Sequence, residues 1–363
     1  MGAVALCAAA CGGDSGAGGS HGDRVGVVIK GLDNPFFAAM RQGMLATAHD
    51  RNADLRVSAA TGLEDTAGQA SKLESLIADG LDCYVVNPIN QSNLVRTLSH
   101  VPHGTPIVNI DSPVDTGEAR ALGVKISTYI GTDNTAAGRL AAGAMARLVG
   151  RGARVGVIGG ISGDATSAAR IAGFRAGARG RFDPLDAVSA DWDEHKAMLA
   201  ARAILRAEPR VAGLFAANDQ MALGVARTVR EAGRNGSVAV IGVDGIDEAL
   251  GAIDRGAMSA TVSQYPYTIG SLGVEACLAA AAGDSLPAKV DAPIHVVTRR
   301  NVAQAEAKFP QPAEPFASPF APLLRGMSIA PVPSPGERGR VPNGASPSSR
   351  LARVVPPRRA SRQ

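Results

Sequence analysis

The chemistry-bearing residues of this chain are acids, amides and aromatic rings rather than nucleophiles. Asp111 and Asp244 each close a strongly apolar run, the second within Val243-Asp244-Gly245. Either could cap a helix. As a pair they offer carboxylates that each accept several hydrogen bonds, while Asn34, Asn87, Asn218 and Gln264 both donate and accept. A polyhydroxylated guest demands that mixture. Trp192, the single tryptophan, stands in Ala190-Asp191-Trp192-Asp193. Flanking carboxylates are poor company for a core indole, so Trp192 reads as a stacking platform for the C–H face of a sugar. Asp33-Asn34-Pro35-Phe36-Phe37 reads as a helix start, with Asn34 as N-cap and Pro35 at the first helical position. Successive helix positions point about 100° apart, so one of Phe36 and Phe37 is expected in the core and the other at a cleft. Lys30 ends an apolar run, and Arg170 precedes Gly173-Phe174 on a helical stretch. Such cations are usually solvated, but both would lie beside the same cleft.

The elements that must position these residues alternate. Between Arg24 and Val297, short β-branched runs are separated by longer Ala-rich stretches of helical period, the pattern of parallel sheets covered on both faces. Residues 25–29, 55–57, 83–86 and 106–110 are predicted strands of a first lobe, with helices near 35–52, 64–79 and 91–100. Residues 154–158, 187–188, 213–215 and 238–241 repeat the scheme in a second. The expected fold is α/β, two doubly wound parallel-sheet lobes. Ligands bind beyond the carboxyl ends of such strands. That rule selects residues 30–34, Asn87, Asp111, residues 159–164, Asp191-Trp192, Asn218-Asp219, Asp244 and Gln264.

At 363 residues, 45% apolar and 19% charged, the chain is long enough for two buried cores. The net charge of +4 is misleading. Residues 311–363 hold eight Arg against Glu314 and Glu337, which leaves the body at −2 and argues against a nucleic-acid-binding face. None of the six His lies in a metal-ligand motif, no Gly-x-Ser-x-Gly elbow occurs, and no thiol has a base nearby. A binding protein without cofactor or metal is expected rather than an enzyme. The glycines of residues 156–163 lack dinucleotide spacing and read as a tight strand-to-helix turn. Cys83 and Cys277 sit in apolar runs and read as small core residues rather than a disulfide. Ala8-Ala9-Ala10-Cys11 resembles the end of a bacterial lipoprotein signal, with Cys11 lipidated and the following Gly/Ser-rich stretch a leash. Beyond Phe309 the Pro, Ser, Ala and Arg composition predicts disorder.

Eight ordered segments carry a family resemblance: Lys30-Gly31-Leu32-Asp33-Asn34-Pro35-Phe36-Phe37, Asn87-Pro88, Asn109-Ile110-Asp111, Gly131-Thr132-Asp133-Asn134, Arg170-Ile171-Ala172-Gly173-Phe174, Ala217-Asn218-Asp219-Gln220-Met221-Ala222-Leu223-Gly224, Gly242-Val243-Asp244-Gly245 and Gln264-Tyr265-Pro266. From about residue 24 to 305 the chain resembles the ribose-binding group of type I periplasmic solute-binding proteins. The resemblance implies a bilobal receptor joined by a three-strand hinge. Residues 24–131 plus 265–290 would form the N-terminal lobe and 132–264 plus 291–308 the C-terminal lobe, with 1–23 a signal remnant and linker and 309–363 a disordered tail. It implies that Asn34, Phe36, Phe37, Asn87 and Asp111 line one side of the cleft, and that Thr132, Arg170, Trp192, Asn218, Asp244 and Gln264 supply the other side and hinge. Ser112 stands where ribose binders have Arg, and Lys30 where they have a small polar residue. A cationic donor is therefore expected to have moved across the pocket, which points toward a hexose such as allose or a linear polyol. The implied activity is delivery of a sugar to the membrane permease of an ABC importer by an extracytoplasmic, lipid-anchored monomer. Presentation of a ligand to a membrane kinase or chemoreceptor is the alternative. A lac-repressor-type regulator would need an N-terminal helix-turn-helix, for which residues 1–23 are too short.

Overall fold

The computed structural model describes residues 23–325. Cys11, the lipidation candidate, and residues 326–363 lie outside them. The first lobe begins with β1 (Arg24–Ile29), α1 (Pro35–Asp50), β2 (Asp54–Ala59), α2 (Thr66–Ala78), β3 (Cys83–Val86), α3 (Val95–Leu98), β4 (Ile107–Ile110), α4 (Thr116–Ala121) and β5 (Thr128–Gly131). The second follows with α5 (Asn134–Met145), β6 (Arg154–Gly159), α6 (Ala165–Ala178), β7 (Asp183–Ser189), α7 (Glu194–Ala207), β8 (Gly213–Ala216), α8 (Asp219–Glu231), β9 (Ala239–Asp244), α9 (Asp247–Asp254) and β10 (Ala260–Ser263). The chain then returns to the first lobe as α10 (Pro266–Ala281) and β11 (Lys289–Asp291), and to the second as β12 (His295–Thr298) and α11 (Val302–Lys308).

The two sheets run β2-β1-β3-β4-β5-β11 and β7-β6-β8-β9-β10-β12. All neighbours are parallel except β12, which is antiparallel to β10. Each central strand is an apolar run with no exposed face, as in β3, β4 and β8, because helices cover both sides. The polar side chains that reach the cleft then do so from where strands end. Reading apolar runs found the central strands but not β5, β10, β11 or β12.

Two expectations are overturned. Cys83 and Cys277 are fully buried, but they form a disulfide, with Cα atoms 5.7 Å apart. The apolar context was correctly read; the pairing was invisible because 194 residues and the whole second lobe separate the partners, and only the return of α10 onto β3 brings them together. The segment after Phe309 is also not disordered as far as it is described. Phe320 and Leu324 are fully buried in the first lobe, Ser318 Oγ donates to Glu275 of α10, and Arg51 Nη1 donates to the Leu324 carbonyl at 3.2 Å. Two well-placed apolar side chains suffice to dock a Pro-rich segment whose average composition is poor.

Candidate functional site

Between the lobes lies a narrow cleft lined by residues of both. Ten of the sequence-selected residues border it: Lys30, Asn34, Phe36, Phe37, Asp111, Asp164, Arg170, Trp192, Asn218 and Asp244. Leu63, Ser112 and Thr166 complete the lining. Leu63 follows the carboxyl end of β2, so extending the strand-end rule to that strand would have found it. Thr166 lies inside α6 and gave no signal.

Asn34 and Asn218 cap α1 and α8, their Oδ1 atoms accepting from the Phe36 and Met221 amides at 2.9 Å. Each helix end thus fixes its amide flip. Neither Nδ2 has a partner among the described residues, so each cap presents a donor to the cleft. The capping reading of Asp111 and Asp244 fails, because Asp115 caps α4 and no side chain caps α9. Both acids instead hold positive φ, 59° and 142°. Strain of this kind persists where surrounding bonds over-determine the backbone. At Asp111 those are its amide to the Ile130 carbonyl at 2.8 Å and the Tyr129 hydroxyl donating to its own carbonyl at 2.7 Å.

In the second lobe, Asp244 Oδ1 accepts from Gln264 Nε2 at 2.6 Å and from Arg170 Nη1 at 3.2 Å. Arg170 is further held by its Nη1 on the Ala217 carbonyl, 2.6 Å, and its Nε on Asn134 Oδ1, 2.9 Å. Asp244 Oδ2 and Arg170 Nη2 have no partner among the described residues and are left for a guest. Burial raises Asp244 to about 7; Arg170 opposes the rise and the nearby Asp219 carboxylate adds to it. Burial likewise raises Asp219, to about 6, against hydrogen bonds from Thr261 Oγ1 and the Gly245 and Ile246 amides that tie down the Asp244 loop. The close contact of α5 with α6 sets where Arg170 starts. Gly138 packs on the Arg170 carbonyl and Gly173 on that of Thr135, and a Cβ at either would collide with backbone.

Trp192 has φ 64°, rare for so bulky a residue, and its ring lies flat over Gly160, where a Cβ would strike the indole. Its flanking acids are spent locally: Asp191 pairs with Lys196 at 2.8 Å and Asp193 caps α7. The Arg170 guanidinium stands 5.7 Å from the indole centroid. Phe36 and Phe37 meet edge to face, centroids 5.3 Å apart, and both border the cleft. The expected division, one ring to the core and one to the cleft, does not hold: both rings are buried in the core of the first lobe and both also border the cleft.

A second correction concerns the cation. Lys30 Nζ donates to Ser112 Oγ at 2.6 Å and lies 3.7 Å from Asp111 Oδ2 and 5.4 Å from the Phe37 centroid. The positive charge has not crossed the pocket. It reaches the same acid from the end of β1, across the intervening β3, with Ser112 leaving it room. Gln264 is buried behind Asp244 and bonds to it rather than to the cleft. Asn87 and Thr132 are also buried away from the lining, Asn87 Nδ2 lying 3.7 Å from the Met40 sulfur.

A family model described as a periplasmic binding protein domain matches residues 25–285. The chain belongs to the periplasmic binding protein family. That family is one of extracytoplasmic solute-binding proteins rather than enzymes. Among curated relatives, this periplasmic binding protein is 32% identical to the D-allose-binding periplasmic protein of Escherichia coli, over 69% of this chain and 81% of that one. It is 30% identical to the ribose import binding protein RbsB of Bacillus subtilis, over 76% and 87%. A solved solute-binding protein from Actinobacillus succinogenes with bound D-allose matches with TM-score 0.73 and 30% identity, covering 77% of this chain and 99% of that one.

Proposed function

We propose that the chain is the substrate-binding protein of an ABC-type sugar importer and holds a neutral monosaccharide or sugar alcohol between its lobes. One observation carries the reading. Lys30 pairs with Asp111 and Arg170 with Asp244, Asp164 is engaged in capping α6, and each pair and both capping amides keep unused valences toward the same space. A net anion or cation would meet an oppositely charged group already satisfied. Hydroxyls, which donate and accept, fit all of them. The Trp192 face supplies an apolar floor.

The lobe that first captures the sugar is then met by the other, and the closed form presents both lobe surfaces to a membrane permease. Lobes comprising 24–131 plus 265–290 and 132–264 plus 291–308 are part of the proposal; β11 in the first sheet and β12 in the second support them, although Asp291 still pairs in β11. A monomer anchored through a lipidated Cys11 completes the proposal. Lys30 with Ser112 favours a guest with a hydroxyl near Asp111 on the Lys30 side, as a hexose or an extended polyol offers. A relative 29% identical over 83% of this chain is a xylitol-binding protein of Mycolicibacterium smegmatis. A thermal-shift panel of pentoses, hexoses and sugar alcohols tests the reading, since a ligand of the folded form raises Tm. A shift with at least one, lost in Arg170→Met, is expected. No shift across the panel would count decisively against it.

A further inference from the structure

The three hinge crossings are followed by a fourth connection. After α11, anchored on the second lobe by buried Val302 and Ala305 against α9, the chain does not leave the molecule. It passes Tyr265, the hinge residue with φ 57°, whose surroundings include the Ala313 backbone and the Glu314 carboxylate. It then descends along α10 and buries Phe320 and Leu324 in the first lobe, where Ser318 and Arg51 fasten it. One end is therefore fixed to each lobe.

We propose that residues 309–325 form a strap that restricts how far the two lobes can rotate apart or together before a ligand arrives. Its composition suits the task. Pro310, Pro312, Pro315, Pro319 and Pro322 fall within it, and a Pro-rich segment is a semi-rigid spacer where a Gly/Ser-rich one would be slack. A slack connection between lobes constrains nothing; a stiff one docked at both ends turns lobe rotation into strain or undocking.

The test uses the full-length protein without ligand, so it stands apart from the sugar assignment. Cys7 and Cys11 are replaced by Ser, and spin labels are placed at the exposed positions His100 and Arg230, one on each lobe. The distribution of label separations is then measured by pulsed dipolar spectroscopy. The combination Pro310→Gly, Pro312→Gly and Pro315→Gly loosens the spacer while leaving both anchors in place. Phe320→Ser with Leu324→Ser undocks it. Both variants are expected to broaden the distribution beyond that of the parent. An unchanged width in the loosened chain would overturn the proposal. So would an undocked chain whose Tm falls while its width does not, because the segment would then merely stabilise the first lobe.

Discussion

The two lobes share one strand order and each places one acid at the cleft, but they hold those acids in opposite ways. Asp111 is served by a lysine 3.7 Å away through a serine, at a partly open edge. Asp244 is enclosed, with a guanidinium fixed on three sides by Asp244, Ala217 and Asn134, and with Gln264 behind it. The difference teaches which half is set before a ligand comes. The second lobe offers a rigid donor-acceptor pair. The first offers a cation on a flexible stem that can re-aim between Ser112, Asp111 and a guest.

The sharpest way to break this comparison is to remove each cation in turn. Arg170→Met leaves Asp244 buried without its partner and strands the Ala217 carbonyl. The expected loss of stability is about 3–5 kcal/mol, with sugar binding abolished. Lys30→Met removes a longer, less enclosed contact and is expected to cost about 1 kcal/mol, with weakened but measurable binding. Denaturant unfolding and titration calorimetry read both. Equal costs would show that the lobes are equally preset.

The covalent asymmetry gives the next effect. Only the first lobe carries a disulfide among the described residues, tying α10 to β3. Cys83→Ala with Cys277→Ala is expected to lower stability by about 2–4 kcal/mol, since the link constrains the unfolded chain. Hydrogen exchange should show the added opening in the first lobe and not around Arg170. Protection lost equally in both lobes would mean that they unfold as one unit.

Smaller still is the indole. Trp192→Ala is expected to weaken sugar binding about 10- to 100-fold by losing one apolar face, with Trp192→Phe recovering most of it. A comparable loss from Phe37→Leu would place the stacking floor in the first lobe instead.

How much of this was legible in the sequence follows from where the information sits. Residues at strand ends could be found because an apolar run that stops at Asp111, Asn218 or Asp244 marks its own carboxyl end. Capping amides could be found because Asn34-Pro35 is a helix start by itself. What failed was everything set by two distant pieces of chain. Cys83 meets Cys277 only after the chain has crossed and returned. Gln264 looked like a ligand contact but stands behind Asp244, since sequence orders residues and not layers. Lys30 reaches the acid from β1, two strands away from β4, so a substitution read as displacement of charge is in fact its replacement. The strap was misread because average composition hides Phe320 and Leu324.

The last consequence concerns protons, and it separates the lobes without mutation of a cation. Asp244 is raised to about 7, so between its unfolded value near 3.8 and that pH the native chain holds more protons than the unfolded one. Its contribution to stability is thus fully present below about pH 4 and is lost as pH rises through 7. A sugar hydroxyl donating to the free Oδ2 favours the ionised carboxylate. Binding near pH 7 should therefore release a fraction of a proton, and affinity should rise from pH 6 to 8 by no more than about tenfold per pH unit. Calorimetry in buffers of different ionisation enthalpy reads the proton count directly. Asp244→Asn should cut the release sharply in whatever binding survives, because an amide cannot titrate and only the nearby Asp219 carboxylate, also raised by burial, is left to contribute. Undiminished release in that variant would move the titrating group to another residue and remove the basis for treating the enclosed acid as the pH-sensitive side of the cleft.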